Sequence, residues 1–390
     1  MLSYLVVGGT GSVGGAIVAY LLGFGTSPGT MVKAIGRGQG LNWNSIQSNG
    51  LTVSYYKNDT KSSCTIPSSI FFPSIDLISK HSQNVVIISL KQPMLTANLM
   101  QKVLDVLAPS GVIAIIQNGL PFYFLNGLSA QHIEAVDQKG KIKYMTSEVC
   151  VTGFLPLIAA SHSGPGSITV SRPLESIKLS IGSPEPHKCA KLDEVSADLN
   201  LLGLPIADHP ITSSALRTEI CNKLLFAITY NTISALQNYT LGKVQEDLIS
   251  SKGMSRYAEF AIAYTTYVAK ELSITGLKSF TAIVTGNYTK THYSSMRYDI
   301  ESSNTPEAKV IVEAITSINV PCATHEIIKP FLHVSYLLIG LAGSDGTKVI
   351  AAEQINTING LSSIASESLA RCVGDNENNS DECSADCVLF

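Results

Sequence analysis

The chain opens on an unbroken apolar run, Tyr4-Leu5-Val6-Val7, that stops at a glycine cluster, Gly8-Gly9-Thr10-Gly11-Ser12-Val13-Gly14-Gly15. An apolar segment of helical character follows from Ala16 to Leu22. A second short apolar stretch, Met31-Val32-Lys33-Ala34-Ile35, then ends in Gly36-Arg37. Short apolar runs bounded by turn residues are how strands covered on both faces read. Two more occur at 84–90 and 111–116. Between them, Leu99, Val103, Leu104 and Leu107 keep the period of a helix. This alternation of strand and helix predicts a parallel, doubly wound sheet.

Beyond residue 140 the pattern changes. The segments 145–151, 167–170 and 178–181 read as short strands separated by Gly, Pro and Ser, expected as an antiparallel extension of the same sheet. From about residue 210 the period becomes helical. The first segment, 218–236, places Ile220, Leu224 and Ile228 on one stripe; 255–272 and 306–318 are the second and third helices. Pro205 and Pro210 mark the junction.

The first forty residues also carry chemistry. In the pattern strand, glycine turn, helix, strand, Gly9 allows a sharp turn. Gly11 lets a backbone approach a pyrophosphate, and Gly14 lets the helix pack on the strand. Unpaired N–H groups at the helix start then meet the phosphates. The expected cofactor contacts are Gly9, Thr10, Gly11, Ser12, Val13 and Gly14. Arg37 stands where sites specific for NAD place a carboxylate, and no carboxylate occurs between Gly36 and Asn49. A cation there suits the 2′-phosphate of NADP(H).

The predicted architecture is α/β. An N-terminal Rossmann-type doubly wound parallel sheet with an antiparallel extension occupies 1–208. A mostly helical domain spans 209–338, and a C-terminal extension 339–390. The extension's tail, from about residue 373, reads as loosely ordered because Asp, Asn, Glu and Ser dominate it from Gly374.

Composition narrows the function. Hydrophobic residues make up 45% of the 390 residues, charged residues 15%, and the formal net charge is −3, which leaves no basic surface for a nucleic-acid partner. The apolar stretch 331–342 is too short to span a bilayer, and no signal peptide is visible, so no membrane partner is expected. Cys64, Cys150, Cys189, Cys221 and Cys322 are scattered through the body and read as reduced thiols of a cytoplasmic protein. Asn238-Tyr239-Thr240 and Asn287-Tyr288-Thr289 are then chance sequons. Cys372, Cys383 and Cys387 lie in the polar tail and fit no standard metal spacing.

Further candidates follow from polar residues in apolar surroundings. Ligands of an open parallel sheet sit beyond its C-terminal strand ends. There, Lys91 can meet cofactor phosphate, and Asn118 the nicotinamide ribose or a substrate. Lys223, inside an apolar helical segment, either puts its head in water or faces a cleft, where it can protonate a carbonyl oxygen. Asn231, eight residues on, falls on roughly the same face. The polar knot 292–299 offers Ser hydroxyls and backbone N–H groups to a carboxylate. Glu307 can orient the lysine, although its helix-start position alone favours an acid.

Taken together, these pieces resemble the ketopantoate reductases and related 2-oxo acid reductases. The resemblance lies in Gly9-x-Gly11-x-x-Gly14, Gly36-Arg37, Leu90-Lys91, Gln117-Asn118-Gly119, Gly164-Pro165-Gly166, Lys223-Leu224 with Asn231, and Ser294-Ser295-Met296-x-x-Asp299 followed by Glu307. It implies a Rossmann domain, a helical domain and a cleft between them. The implied activity is NADPH-dependent reduction of a 2-oxo acid to a 2-hydroxy acid, in pantothenate biosynthesis where that acid is ketopantoate. Lys223 is then the general acid and Glu307 its partner. Ser295 is the ligand of the substrate carboxylate. Asn118 and Asn231 are substrate and cofactor contacts, and Arg37 with Lys91 grips the 2′-phosphate. A homodimer is implied by the resemblance alone. One position departs: Ala227 stands where the family commonly has Asn, four residues after the lysine. The apolar segment 120–124 also suits a less polar substrate.

Two other readings stay open. The first is an NADP-binding sensor that has lost turnover. The second is an extended short-chain-type reductase using Tyr239 and Lys243, spaced as Tyr-x-x-x-Lys.

Overall fold

The computed structural model describes residues 2–25, 31–57, 60–91, 94–116, 150–156, 160–173, 179–183, 189–202, 210–286, 290–301, 307–308, 311–312, 314–341 and 349–378. The chain divides into two compact units, one of 1–117 with 121–217, the other of 118–120 with 218–390.

The strands of the first unit are, in order, β1 (Ser3–Val7), β2 (Met31–Ile35), β3 (Leu51–Lys57), β4 (Thr60–Ile66), β5 (Phe71–Phe72), β6 (Gln83–Ile88), β7 (Leu107–Ile115), β8 (Cys150–Pro156), β9 (Ala160–Gly164), β10 (Ser167–Pro173) and β11 (Leu179–Gly182). The helices placed among and after them are α1 (Ser12–Leu21), α2 (Leu41–Asn49), α3 (Ala97–Val106) and α4 (Leu192–Leu201).

Two sheets form. The larger has the order β11-β8-β7-β6-β1-β2-β5, parallel throughout except for the β8–β11 pair. All five residues of β1 are buried, as its unbroken apolar run demands. The smaller sheet has the order β4-β3-β10-β9. Here the structure corrects the sequence reading. Segment 179–182 does join the main sheet as its antiparallel edge, but 167–173 pairs with β3 and β9 in the second sheet. The polar strand β4 in that sheet (Thr-Lys-Ser-Ser-Cys-Thr-Ile) is largely exposed, so it lacks the apolar signal that marks the buried strands.

Helix α1 explains why both sheets are needed. It is buried from Gly14 to Leu21, and it packs on β1 and β2 of the first sheet and on β3, β9 and β10 of the second. A helix apolar all round needs cover all round. Behind β1, the Tyr4 hydroxyl donates to Asp198 of α4 at 2.7 Å.

The second unit is helical. Helix α5 (Ser213–Phe226), which belongs to this unit from Thr218 onward, leads into a π-helical turn (Ala227–Asn231) and α6 (Thr232–Gln237). Then come α7 (Leu241–Ile249), α8 (Ser255–Glu271), α9 (Phe280–Val284), α10 (Ser295–Glu301), α11 (His325–Leu341) and α12 (Ala352–Asn378). Of the third expected helix, 306–318, the described part contains a 3-10 turn at Ala314–Ser317. The core gathers rings from α8 and α11: Phe331 lies 5.3 Å from Phe260 and 5.4 Å from Tyr264, centroid to centroid.

Helix α12 packs on α8 and α11 and runs to Asn378, past Gly374, where composition alone suggests a loose tail. Arg256 donates to Ser363 at 3.0 Å, and Asn359 to the Gly253 carbonyl at 2.7 Å. A disulfide also joins Cys322 to Cys372 of α12, and Cys189 is disulfide-bonded too, whereas Cys64 and Cys221 are free. Cys189 and Cys322 thus depart from the expectation of reduced thiols, whereas Cys64 and Cys221 match it. Among the described residues, no helix is long and apolar enough to cross a membrane.

Candidate active site

The glycine turn is built by close backbone packing. Gly8 and Gly9 both donate their N–H to the Ile35 carbonyl at 3.0 Å, which locks the exit of β1 against the end of β2. Gly8 holds the left-handed conformation, with φ +90, so it makes the sharp turn expected of Gly9. Gly9 serves a different need: a Cβ there would come within 2.7 Å of the Ala34 Cβ. A Cβ on Gly14 would run into the Gly8 carbonyl oxygen.

Gly11 is the N-cap of α1. No side chain caps it, and no acidic residue stands in the first turn. A Cβ on Gly11 would meet only the Gly8 carbonyl oxygen, at 3.2 Å. A helix start of this kind, with N–H groups at Ser12, Val13 and Gly14 and no acidic residue in its first turn, fits a dinucleotide pyrophosphate.

The end of β2 lies against the same turn. A Cβ on Gly36 would come within 2.6 Å of the Thr10 methyl and 2.9 Å of the Trp43 ring, so only glycine lets the strand end so close. Arg37 follows it and is exposed. Lys91 lies just past the end of β6, on the other side of β1, partly buried.

The sequence reading missed Asn42. Its amide donates to the Thr10 carbonyl at 3.0 Å and its side-chain oxygen accepts from the Gly166 N–H at 2.8 Å. One side chain thus pins the glycine turn to the Gly164-Pro165-Gly166 corner of the second sheet. Nothing in the local pattern of a polar helix start marks such a long-range contact.

In the second unit, Lys223 lies in the last turn of α5. Burial pushes its ammonium pKa down from 10.5 to about 8, and the Glu307 carboxylate acts in the opposite direction. Glu307 is 8% exposed. The structure therefore brings this predicted pair together electrostatically.

Asn231 ends the π-helical turn, partly exposed. Its carbonyl accepts from the Ser294 hydroxyl at 3.0 Å. Ser294 is buried; its N–H donates to the Ser234 hydroxyl at 3.2 Å, and its own hydroxyl accepts from the Arg297 N–H at 3.2 Å. It is the pin that holds the start of α10 to the helix carrying Lys223. Ser295, the next residue, is exposed, with its hydroxyl on the first turn of α10. The sequence offered a signal for Ser294, a serine directly before a helix. Arg297 is fully buried, with its Nε 3.3 Å from Glu301.

Asn118 lies outside the described residues. The Tyr239 and Lys243 pair does not form a helical dyad. Tyr239 lies in the turn before the cap residue Thr240, and Lys243 on α7 is exposed and ion-paired to Asp247 at 2.8 Å. Among the described residues, no group of three or more His, Cys, Asp or Glu is placed to hold a metal.

Comparison with known proteins agrees with this geometry. Residues 5–180 match the profile of the ketopantoate reductase PanE/ApbA family, and residues 215–334 match that of its C-terminal domain. Among solved structures, the chain is similar to 2-dehydropantoate 2-reductase from Methylococcus capsulatus, with 18% identity, TM-score 0.60, and coverage of 90% of this chain and 99% of that one. It is also similar to D-mandelate dehydrogenase in its ternary structure with NADH and anilino(oxo)acetate (15% identity, TM-score 0.61, coverage 94% and 99%). A third is dimeric ketopantoate reductase from Staphylococcus aureus (18% identity, TM-score 0.53, coverage 94% and 100%). No curated protein sequence matches the chain. With both halves matched in order and the glycine turn and half-buried lysine in place, the chain belongs to the ketopantoate reductase (PanE/ApbA) family of nicotinamide-dependent oxidoreductases acting on CH–OH groups.

Proposed function

We propose that the protein reduces a 2-oxo acid to a 2-hydroxy acid with NADPH, and that Lys223 is the general acid. The observation that carries this reading is the state of Lys223: a half-buried lysine whose pKa falls to about 8 by desolvation, under the opposing influence of the Glu307 carboxylate. An ammonium with that pKa is protonated at neutral pH and still acidic enough to give its proton up, which suits a general acid.

Gly9, Thr10, Gly11, Ser12, Val13 and Gly14 would hold NADPH, which would supply the hydride. The first-turn N–H groups of α1 receive its pyrophosphate. Arg37, exposed and next to the Gly36 that packs on Thr10, takes the 2′-phosphate, and Lys91 contributes a second cation near the strand ends. A guanidinium suits this task because it stays charged and meets phosphate with several donors. The D-mandelate dehydrogenase structure holds NADH, so the choice of NADPH here rests on Arg37.

On the substrate side, Ser295 and the N–H groups at the start of α10 receive the carboxylate. Asn231 and Asn118 donate to the oxygen atoms of substrate and cofactor ribose. Lys223 delivers a proton to the keto oxygen as the carbon is reduced, and Glu307 keeps that lysine charged until it does. Ala227 offers no hydrogen bond one turn after Lys223, which favours a 2-oxo acid less polar than ketopantoate. With ketopantoate itself, the product feeds pantothenate biosynthesis. A homodimer is the proposed assembly.

The test is NADPH oxidation against a panel of 2-oxo acids, including ketopantoate and aryl-substituted acids, with the unmodified protein and with Lys223→Ala. Turnover on at least one acid, lost by a factor of about a hundred or more in the variant while NADPH still binds, is the expected result. Tight NADPH binding with no turnover on any acid would favour the sensor reading, which Ala227 motivates.

A further inference from the structure

The helix that carries Lys223 is not regular. Between α5 and α6 it widens into a π-helical turn from Ala227 to Asn231. In an α-helix two turns take about seven residues, so the position stacked above residue 223 would be residue 230. A π-helical turn closes its hydrogen bonds one residue later and adds one residue to the count. The stacked position then becomes residue 231.

Burial follows the shifted count. From Ala227 to Gln237 every residue is buried except Asn231, which shares partial exposure with Lys223. Tyr230, which a regular helix would present beside Lys223, is instead fully buried. Its ring stacks on Phe226 at 4.9 Å, and its hydroxyl donates to the Val284 carbonyl at 3.3 Å.

A widened turn shifts which backbone N–H each carbonyl meets, and here the Ala227 carbonyl accepts the Thr232 N–H. Two threonine side chains add hydrogen bonds to carbonyls at the turn and just before it. The Thr229 hydroxyl donates to the Leu225 carbonyl at 2.6 Å, and the Thr232 hydroxyl donates to the Ala227 carbonyl at 3.2 Å. Both threonines are fully buried. At the far end, the Asn231 carbonyl accepts from Ser294.

We propose that this turn is a register device, with Thr229 and Thr232 as positioning residues that hold the Asn231 carboxamide in line with the Lys223 ammonium so that both address one substrate. The proposal deepens the reductase reading and rests on it for the word substrate, but the alignment itself is a property of the resting protein.

The experiment uses the full chain. First, Lys223 is titrated by NMR of 13C-labelled lysine, in the unmodified protein and in Asn231→Asp. A carboxylate stacked over the ammonium raises the lysine pKa by about one unit. Second, the same titration is repeated with Thr229→Val and Thr232→Val added together to the Asn231→Asp protein, with Thr229→Ser and Thr232→Ser as conservative counterparts. The valines should abolish at least half of the shift and the serines should preserve it. In the otherwise unmodified protein, the valine pair should lower kcat on the accepted 2-oxo acid about tenfold and leave the KM for NADPH unchanged, with the serines restoring kcat. A Lys223 titration that does not move in Asn231→Asp overturns the alignment, whether or not the valine variants fold. A full shift in the valine background overturns the role of the threonines. Absence of turnover on every 2-oxo acid would count against the reductase reading alone, because the titration is independent of activity.

Discussion

The Glu307 carboxylate opposes the burial that draws the Lys223 ammonium down to a pKa of about 8. The two effects have opposite signs, and burial is the larger. A lysine that feels both is charged at pH 7 and close enough to its titration point to release a proton.

The first prediction concerns pH. Reduction should fall as pH rises through about 8, because the acid loses its proton there. Glu307→Gln removes the influence that supports the charged form, so that descending limb should move to lower pH. The pH dependence of kcat for parent and variant checks this, and an unmoved limb in the variant would separate Glu307 from Lys223. Stability has its own signature. The unfolded chain holds the Lys223 proton up to about 10.5, whereas the folded protein releases it near 8, so the unfolded state binds more protons between them. This group's contribution to stability therefore improves as pH rises across that window.

The second prediction concerns the cofactor. Arg37→Ala should raise the KM for NADPH by about tenfold or more and leave that for NADH nearly unchanged, since only NADPH carries the 2′-phosphate. Steady-state kinetics with both cofactors reads this directly. An unmodified protein that prefers NADH would refute the role assigned to Arg37.

The third prediction concerns the turn. Gly14→Ala places a Cβ against the Gly8 carbonyl oxygen, where backbone rather than a flexible side chain stands in the way. Nucleotide affinity should fall at least tenfold, as read by fluorescence titration with NADPH. Gly40→Ala is the wrong control because Gly40 has φ +89; Gly360→Ala, on α12, meets nothing within 4 Å and should bind as the parent does.

The fourth prediction concerns the disulfide. Cys322 and Cys372 close a loop with a sequence separation of 50, for which loop-closure entropy corresponds to about 4 kcal/mol at room temperature. Cys372→Ser should lower the urea midpoint of the helical unit, and reductant should do the same to the parent but nothing more to the variant. Equal midpoints in all four samples would remove the disulfide from the stability of α12.

How much was visible in the chain beforehand depends on what each feature needs. Val6 and Val7, and Val85 to Ile88, are strands covered on both faces, and such strands spell themselves in unbroken apolar residues. The strand β4 does not, because Lys61, Ser62 and Ser63 lie at an edge and bury little. Lys223 was legible as an oddity in an apolar segment, and Glu307 as a candidate to orient it whose helix-start position alone favours an acid, a reading that the family resemblance strengthened. Asn42, Thr229 and Thr232 escaped notice because each acts through a hydrogen bond whose partner the local pattern does not name, and Ser294, visible as a serine directly before a helix, shows its bonds to Asn231 and Ser234 only in the fold.

The sequence by itself determined the glycine turn, the alternation of strand and helix, the cation at the end of β2 and the family to which the chain belongs, because these are local or periodic properties of backbone and hydrophobicity. Tertiary structure alone decided that Ser167 to Pro173 serves a second sheet, that Cys322 meets Cys372, and that a widened turn rather than plain helical spacing relates Asn231 to Lys223. Each of those depends on which distant group lies across the gap, and distance in space is the one quantity that order along a chain does not carry.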